Sequence, residues 1–400
     1  MQTRPCWAEI DTSALDHNYR LLRTLAGPAV KCLAIVKANA YGHGLEICAP
    51  AAVRAGASWL GVTSVEEGIA ARRICPDARI LVMGGVFPSQ GEALVAHNLT
   101  PVVWEPCQLD EVSAAARTAG LAPASFPVHL EIDTGMSRQG IAPEAVATLL
   151  PRFAAPSPLR IEAVMTHLYA SDEANGPKTP IQRERLAEAL RAVHSSQPSG
   201  TSKPAILSAG ATAELLAGGA EAIHTLAARY GLAPMVRLGL ALYGLPTRFD
   251  PAFAAGNDPA ALRAAQSGLK PVLAWKTRVV SVRSVPAGSE VGYNGTFVAT
   301  EPMRLALLAI GYADGLDRQL GNRFSLLVRG QHAPLAGRVS MDQAVLDITE
   351  IEGVEPGEEV VILGSQGAES ITAYDYAAAT NTIPWEVFTR IGARVKRVAI

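Results

Sequence analysis

The sequence predicts an α/β fold, with an N-terminal (β/α)8 TIM-type barrel followed by a C-terminal, mainly-β domain. Between residues 31 and 240, runs rich in Val, Ile and Leu alternate with stretches of helical length, which is typical of repeated β/α units. After residue 271, β-branched runs follow one another with turn signals between them. The chain has 400 residues and is 49% hydrophobic. This is enough for two domains, because a single core stops growing near ~250–300 residues.

Eight runs in the first part have the length and composition of buried parallel strands. Eight successive β/α units match a closed barrel better than an open sheet. The predicted strands are residues 31–36, 58–62, 79–83, 100–104, 126–132, 160–166, 204–208 and 235–239.

The composition becomes rich in Pro, Gly, Asn, Asp and Ala over residues 244–271, as expected of a linker. We therefore predict a barrel domain over residues 1–247 and a β domain over residues 248–400. Residues 1–10 are expected to pack on the β domain. The predicted strands of that domain are residues 272–283, 290–299, 303–310, 325–329, 343–348 and 359–363.

Charge and cysteine usage exclude several classes of function. The formal net charge is −2 and Lys and Arg are dispersed, so neither nucleic acid nor a membrane surface is an expected partner. No apolar leader or long apolar run occurs, which predicts a cytoplasmic protein with a small-molecule substrate. The five cysteines have no Cys-x-x-Cys spacing, so neither a disulfide framework nor a metal site is expected.

The most informative segment follows the first barrel strand. Residues 35–44 read Ile-Val-Lys-Ala-Asn-Ala-Tyr-Gly-His-Gly, which places Lys37 where that strand ends. The carboxyl ends of the strands form the catalytic face of such barrels. A lysine amine in a partly desolvated pocket loses its proton readily and condenses with an aldehyde such as pyridoxal phosphate. The alternative interpretation is a surface lysine beside a glycine-rich turn.

Two polar residues follow the fifth and sixth predicted strands. Arg138 lies just beyond the fifth strand, and His167 ends the segment of the sixth. Each has an ordinary structural alternative. Arg138 would pair with Glu131 or Asp133, and His167 would be a hydrogen-bonded core residue.

The seventh and eighth predicted strands lead to a possible phosphate site. Ser208 ends the seventh strand, and Arg237 precedes Gly239 and Leu240 at the end of the eighth. Loops after these two strands often bind phosphate through backbone N–H groups. A plain turn at Gly239 is the alternative.

Six segments, in order along the chain, resemble the bacterial alanine racemase family, whose members are pyridoxal-phosphate enzymes with a barrel and a β domain. The likeness runs from Trp7 to Arg394, nearly the whole chain. The segments are residues 36–44, 133–138, 236–239, 291–296, 311–315 and 338–343.

The resemblance implies an enzyme that interconverts L- and D-alanine and supplies D-alanine for peptidoglycan. Lys37 would carry pyridoxal phosphate and serve one face of the substrate Cα, while Tyr293 from a neighbouring chain would serve the other. Racemisation needs a proton removed on one face and returned on the opposite face, which two groups can do. A homodimer with two-fold symmetry would contain two equal shared sites.

The resemblance also implies how the cofactor is tuned. His167 would link Tyr293 to Arg237, whose guanidinium would face the pyridine nitrogen. Because arginine keeps its proton, that nitrogen would stay unprotonated, which would suppress transamination. The implied cofactor-binding residues are Lys37, Tyr41, Arg138, His167, Ser208, Arg237, Gly239, Leu240 and Trp385.

Substrate binding follows from the same resemblance. Arg138 and the N–H of Met341 would bind the substrate carboxylate. The two arginines of the implied access corridor would attract that carboxylate, or alternatively would pair with Asp314 and Asp342. The corridor residues are Asp172, Tyr312, Arg318, Arg338 and Ile383.

Two positions depart from the family pattern. Glu131 stands where many members have a carbamylated lysine, and it would supply the negative charge directly. We therefore expect activity that is independent of dissolved carbon dioxide. Trp385 stands where a tyrosine hydroxyl usually meets the cofactor phosphate, and an indole N–H donates a hydrogen bond but cannot accept one. We expect altered cofactor binding and substrate preference there.

Three alternative functions remain open at this stage. The first is a racemase of broader specificity that acts on serine or other amino acids. The second is a pyridoxal-phosphate decarboxylase of the same architecture, although such enzymes place a cysteine in the β domain and no cysteine follows Cys107. The third is a non-catalytic pyridoxal-phosphate-binding protein, which would leave Lys37 and Tyr293 together unexplained.

Overall fold

A computed structural model describes residues 4–173, 176–195, 203–249 and 266–400. The chain divides into two compact units. The barrel unit comprises residues 14–40 and 48–270, and the β unit comprises residues 1–13, 41–47 and 271–400. The predicted linker over residues 244–271 lies largely outside the described residues, since 250–265 are not among them. The boundary between residues 247 and 248 stays a prediction.

The first strand of the described residues is β1 (Cys6–Ile10), which joins the sheet of the β unit described below. The predicted barrel is confirmed as a closed ring of eight parallel strands in which β9 pairs with β2. Its strands are β2 (Lys31–Ile35), β3 (Trp59–Val62), β4 (Arg79–Val82), β5 (Thr100–Val103), β6 (Phe126–Glu131), β7 (Leu159–Met165), β8 (Ile206–Ala211) and β9 (Ala233–Leu238).

Burial explains why these apolar runs form strands. Every residue of β3 and of β5 is buried, as expected of parallel strands that are covered on both faces. The α-helices of this part of the chain are α1 (Thr12–Ala26), α2 (Leu45–Arg54), α3 (Val65–Ile74), α4 (Gly91–Ala96), α5 (Pro106–Thr118), α6 (Val146–Leu149), α7 (Lys178–Ser195), α8 (Thr212–Leu216) and α9 (Ala220–Arg229). Short 3₁₀ helices cover Pro143–Ala145, Leu150–Phe153 and Leu240–Tyr243.

The mainly-β character of the C-terminal part is also confirmed. A nine-stranded sheet contains the path β15-β14-β17-β10-β1-β19, and a separate two-stranded ribbon pairs β11 with β12. The strands are β10 (Leu273–Val285), β11 (Glu290–Val291), β12 (Phe297–Val298), β13 (Met303–Leu308), β14 (Ser325–Val328), β15 (Gln331–Pro334), β16 (Ala344–Asp347), β17 (Glu359–Gln366), β18 (Glu369–Ile371) and β19 (Lys396–Ala399). Two helices, α10 (Ala373–Ala379) and α11 (Pro384–Thr389), follow β18.

Strand β1 is held in this sheet by two neighbours. It pairs antiparallel with β10 and parallel with β19, so the two ends of the chain lie in adjacent strands. The sheet packs around Trp275 of β10, whose side chain is fully buried. Among the described residues, no helix is long and apolar enough to cross a membrane.

Candidate active site

Lys37 lies two residues beyond the last residue of β2, at the carboxyl edge of the barrel where the sequence predicted it. Its side chain is half-buried. Burial and the nearby positive charges of Arg138 and Arg237 lower the pKa of Lys37, while the carboxylate of Glu67 opposes them. A lowered pKa makes the free amine more available for reaction with an aldehyde.

The backbone after Lys37 forms a left-handed turn. Ala38, Asn39, Ala40 and Tyr41 have φ angles of 50°, 53°, 54° and 53°, and Gly42 continues with 79°. This conformation costs a non-glycine residue ~1–2 kcal/mol, so it persists only where neighbouring groups hold it. Inside the turn, the Ala40 N–H donates to the carbonyl of Val36 at 2.9 Å.

Arg237 is buried in the barrel, where only 5% of it is exposed. Its Nη1 donates to the carbonyl and the hydroxyl of Ser208 at 2.9 and 3.0 Å, and its Nη2 donates to the carbonyl of Thr166 at 2.7 Å. Burial lowers the pKa of Arg237 to about 10, which still leaves the guanidinium protonated at neutral pH. A permanent positive charge is therefore fixed inside the barrel.

The contact between Arg237 and His167 determines the tautomer of the histidine. Nη2 of Arg237 lies 3.3 Å from Nδ1 of His167. Burial, with the charges of Arg237, Arg138 and Lys37, lowers the pKa of His167 to about 3, so the ring is neutral near pH 7. Because a guanidinium only donates, Nδ1 must accept and the proton must lie on Nε2. His167 thus keeps an N–H donor on Nε2.

Glu131 ends strand β6 and is almost completely buried, with 1% of it exposed. Its Oε2 accepts a hydrogen bond from Nε2 of Gln139 at 2.6 Å. The same Nε2 donates to the carbonyl of Met83 at 3.1 Å, which fixes the orientation of the amide, because a carbonyl can only accept. Burial raises the pKa of Glu131, and Gln139, Arg237 and Arg138 oppose this rise.

The loop that follows Glu131 leaves Arg138 available. The Asp133 carboxylate accepts from the N–H groups of Gly135 and Ser137, so it is engaged within the loop. Arg138 is exposed and makes no hydrogen bond or ion pair with any residue that the structure describes. The alternative that Arg138 pairs with Glu131 or Asp133 is therefore wrong.

The ends of β8 and β9 lie side by side and differ from the prediction in one respect. Strand β8 continues to Ala211, so Ser208 lies inside the strand against Arg237 and does not lie at its end. Thr212 is the first hydroxyl beyond the strand, and its Oγ1 accepts from the N–H of Gly239 at 2.9 Å. The Gly239 N–H is thus occupied by Thr212, whose own hydroxyl proton is a donor of the kind that binds phosphate.

In the β unit, Tyr293 lies in the 3₁₀ turn Tyr293–Gly295 between the two strands of the β11–β12 ribbon. It is 67% exposed. Gly292 and Asn294 on either side have φ angles of 73° and 65°, so the chain reverses sharply around the tyrosine. Its phenol is presented away from the sheet core.

Tyr312 and Met341 lie on two loops of the β unit that are bonded to each other. The Tyr312 N–H donates to the carbonyl of Ser340, and the Ala313 N–H donates to that of Met341, both at 3.0 Å. Met341 is 53% exposed. The backbone pairing fixes the two loops in one register.

The buried carboxylate of Asp314 holds the loop of Tyr312 in place. Its side chain is fully buried and accepts from Arg4 at 2.7 Å, from Arg394 at 2.9 Å and from the N–H of Gly311 at 2.9 Å. Arg394 also pairs with Asp342 at 2.7 Å. The two acids are thus bound by Arg4 and Arg394.

This pairing overturns the alternative interpretation of the corridor arginines. Neither Arg318 nor Arg338 forms an ion pair with a residue of the described part of the chain. Four of the residues predicted for the corridor are exposed, namely Asp172, Tyr312, Arg318 and Ile383. Trp385 on α11 is exposed as well.

The barrel unit fits pyridoxal phosphate. Lys37 supplies an amine with a lowered pKa, Arg237 supplies a buried cation, and Gly239 with Thr212 supplies polar groups at the ends of β8 and β9. In the β unit, burial raises the pKa of Tyr41 to about 12, so its hydroxyl keeps its proton and remains a donor. An aldehyde, a pyridine ring and a phosphate would each find a matching group.

Sequence reasoning missed three residues of the site. Thr212 was missed because β8 was predicted to end too early. Gln139 carries no local signal, since its partners are brought together only by the barrel. Glu67 was missed because it stands three residues after Ser64, a spacing that usually indicates a helix capping box and not a site residue.

The fold and the site together define an enzyme on a (β/α)8 barrel that carries a lysine of lowered pKa at the carboxyl edge. The family model "Alanine racemase, N-terminal domain" matches residues 10–247, and "Alanine racemase, C-terminal domain" matches residues 272–399. The chain belongs to the alanine racemase family and is an enzyme of that family, whose reaction interconverts L- and D-alanine.

Individual relatives match this chain over nearly its full length. An alanine racemase of Symbiobacterium thermophilum is 38% identical over 395 residues, which are 98% of this chain and 97% of the relative. The crystal structure of alanine racemase from the D-cycloserine producer Streptomyces lavendulae matches with a TM-score of 0.84 at 34% identity, over 100% and 98% of the two chains. The alanine racemase of Bartonella henselae, with covalently bound pyridoxal phosphate, matches with a TM-score of 0.81 at 26% identity, over 99% of both.

Proposed function

We propose that this protein interconverts L- and D-alanine by a two-base mechanism, with pyridoxal phosphate bound through Lys37. Lys37 serves one face of the substrate Cα and the partner subunit's Tyr293 serves the other, in a homodimer with two shared sites. The product D-alanine is used for peptidoglycan. The observation that carries the proposal is the half-buried Lys37 at the carboxyl edge of the barrel, with a pKa lowered by burial and by two arginines.

The bound cofactor would supply the electron sink that makes the Cα proton of an amino acid acidic. Lys37, Tyr41, Thr212, Arg237 and Gly239 would hold it, and we add Thr212 to the predicted set because of its contact with Gly239. Arg138, which lacks an anionic partner in the described chain, would bind the substrate carboxylate with the N–H of Met341.

The tautomer of His167 supports Tyr293 as the second base. A donor aimed at a phenol oxygen would orient that oxygen for proton transfer. His167 has its Nε2–H available for this, because Nδ1 is occupied by Arg237. The exposure of Tyr293 in the single chain is consistent with a phenol that acts in the site of another chain.

Mixed dimers test the proposal directly. Lys37→Ala and Tyr293→Phe subunits carry different affinity tags and are co-expressed, and alanine racemisation is followed by chiral chromatography, with serine, lysine and arginine alongside. Purification on both tags in turn isolates the mixed dimers, and each mixed dimer has one intact site out of two, so about half of wild-type activity is expected. Each homodimeric variant should be inactive.

Absence of activity in the mixed dimer would show that both bases come from one chain. If the wild-type protein racemises serine or a basic amino acid faster than alanine, that amino acid would replace alanine as the proposed substrate. A tagged wild-type pair, co-expressed and purified in the same way, controls for the effect of the tags.

Glu131 is expected to make the enzyme independent of carbon dioxide. Glu131 is buried and already holds a carboxylate whose Oε2 is bound by Gln139, so no carbamate has to form. Removal of bicarbonate should leave the alanine racemisation rate unchanged. Glu131→Gln, which keeps the shape and removes the charge, should lower the rate about tenfold, as expected for one charge-assisted interaction.

The rate is measured in degassed buffer and again after bicarbonate is restored. Glu131→Lys is the informative comparison, because its amine can be carbamylated and its rate should respond to bicarbonate. A wild-type rate that fell on bicarbonate removal would contradict the assignment of Glu131.

A further inference from the structure

The carboxylate of Glu67 bridges two loops at the carboxyl edge of the barrel. Its Oε1 accepts from the N–H of Ala38 at 2.6 Å, and its Oε2 accepts from the N–H of Thr63 at 2.8 Å. Ala38 follows Lys37 directly, and Thr63 follows the last residue of β3. One side chain therefore ties the loop of the reactive lysine to the neighbouring strand end.

Glu67 is diverted from the role that its position in the sequence predicts. It is the third residue of α3, and Ser64 caps that helix by accepting from the Glu67 N–H at 3.3 Å. In a capping box the glutamate would reach back to the N–H of the capping residue. Here the carboxylate passes over Ser64 and binds Thr63 and Ala38.

The Ala38 peptide is the first of the left-handed turn. A hydrogen bond from outside the turn can stabilise this disfavoured conformation there. The turn places four successive non-glycine residues at positive φ, a conformation that L-residues avoid. A bond to the first N–H favours this turn over the alternatives in which that N–H would point elsewhere. Among the described residues, the Ala38 N–H donates to Glu67 alone.

We propose that Glu67 is a positioning residue for Lys37, which holds the left-handed turn so that the lysine amine is directed to its reaction partner. The role requires a carboxylate, because both oxygens accept an N–H and a glutamine could offer only one acceptor. The consequence for catalysis rests on the proposed function, whereas the geometry of the turn does not.

The electrostatics favour positioning over activation. The charge of Glu67 raises the pKa of Lys37 and so works against formation of the free amine. A neighbouring carboxylate always stabilises the charged ammonium form of a lysine, so the charge of Glu67 does not activate Lys37. The two N–H groups that Glu67 binds therefore account for its carboxylate at this place.

The test compares Glu67→Gln with the matched control Glu66→Gln. Glu66 is the preceding residue in the same first helical turn, and it is exposed, so the control removes an equal charge from the helix start. Amide hydrogen exchange is measured on the full-length protein with and without pyridoxal phosphate. Glu67→Gln should speed exchange at Ala38 or Thr63 about tenfold, the loss expected for one hydrogen bond. Glu66→Gln should leave both unchanged.

A second readout concerns Lys37 itself. Cofactor-free protein is mixed with pyridoxal phosphate, and incorporation is followed by absorbance and by borohydride trapping. Glu67→Gln should slow incorporation about tenfold, because misplacement of a reacting group is costly. The added change Ala38→Gly should restore much of the rate, since glycine adopts positive φ without steric cost.

Unchanged exchange at Ala38 and Thr63 in Glu67→Gln would overturn the proposal. Slower incorporation that Ala38→Gly does not restore would also overturn it, since the effect would then not pass through the turn. Neither readout uses an amino acid, so both remain decisive if alanine proves not to be the substrate. If Glu67→Gln is insoluble, Glu67→Asp, which is one methylene too short to reach both groups, gives the same comparison.

Discussion

Lys37→Ala is expected to abolish hydrogen exchange at Cα of both enantiomers of alanine, whereas Tyr293→Phe should retain exchange in one enantiomer. Lys37 would hold the cofactor as well as act as a base, so its loss removes both functions. Tyr293 would act only as a base, on one face of the substrate. Racemisation itself should fall by about 10³-fold or more in either variant, since each removes an essential proton-transfer group.

The measurement is deuterium incorporation from D₂O into L- and D-alanine, analysed by chiral chromatography with mass detection. Lys31→Ala is a matched control, because Lys31 is an exposed lysine at the opposite end of the same strand β2. Its activity should equal that of the wild type. Equal residual exchange of both enantiomers in Tyr293→Phe would contradict a two-base mechanism and would indicate one base that reaches both faces.

Arg237→Glu should change the reaction outcome as well as the rate. Arg237 is a buried guanidinium that stays protonated at neutral pH and is held by Thr166, Ser208 and His167. Such a cation facing the pyridine nitrogen would keep that nitrogen unprotonated, while a glutamate would favour its protonation. Transamination of alanine to pyruvate should therefore rise relative to racemisation.

Pyruvate is measured enzymatically and compared with the number of racemisation turnovers. Arg237→Lys keeps a positive charge and should not raise the pyruvate ratio, although it loses part of the hydrogen bonding. The rate of Arg237→Glu should fall as well, because the carbonyl groups of Thr166 and Ser208 lose their buried donor. A pyruvate ratio equal to that of the wild type would contradict the proposed contact of Arg237.

Local patterns were sufficient to predict most of the barrel. A parallel strand that is covered on both faces must be a short apolar run, and β3 and β5 have this form in sequence and in structure. The position of Lys37 follows from the end of such a run. Strands β1 and β19 were missed, because their pairing depends on segments that are distant in sequence. Strands β15 and β18 form hairpins with β14 and β17, and they were missed because they are short and mostly exposed, which leaves little apolar signal.

The errors within the site have the same origin. Ser208 was expected at the end of the seventh predicted strand, but β8 bends at Gly210, with a φ of 81°, and continues to Ala211. A register shift between Ser208 and Ala211 in the pairing with β9 accompanies this bend. Local composition contains no signal for a register shift, because the shift depends on the neighbouring strand.

The sequence by itself determined the order of the strands, the two-part architecture and the identity of the polar residues at the strand ends, since hydrophobic period and turn composition are local properties. Only the tertiary structure decided how those residues are bonded. The carboxylate of Glu67 meets a peptide 29 positions away, and Arg237 meets Ser208 at a separation of 29 positions and Thr166 at 71. Such contacts arise from barrel closure, which brings distant strand ends within hydrogen-bonding distance.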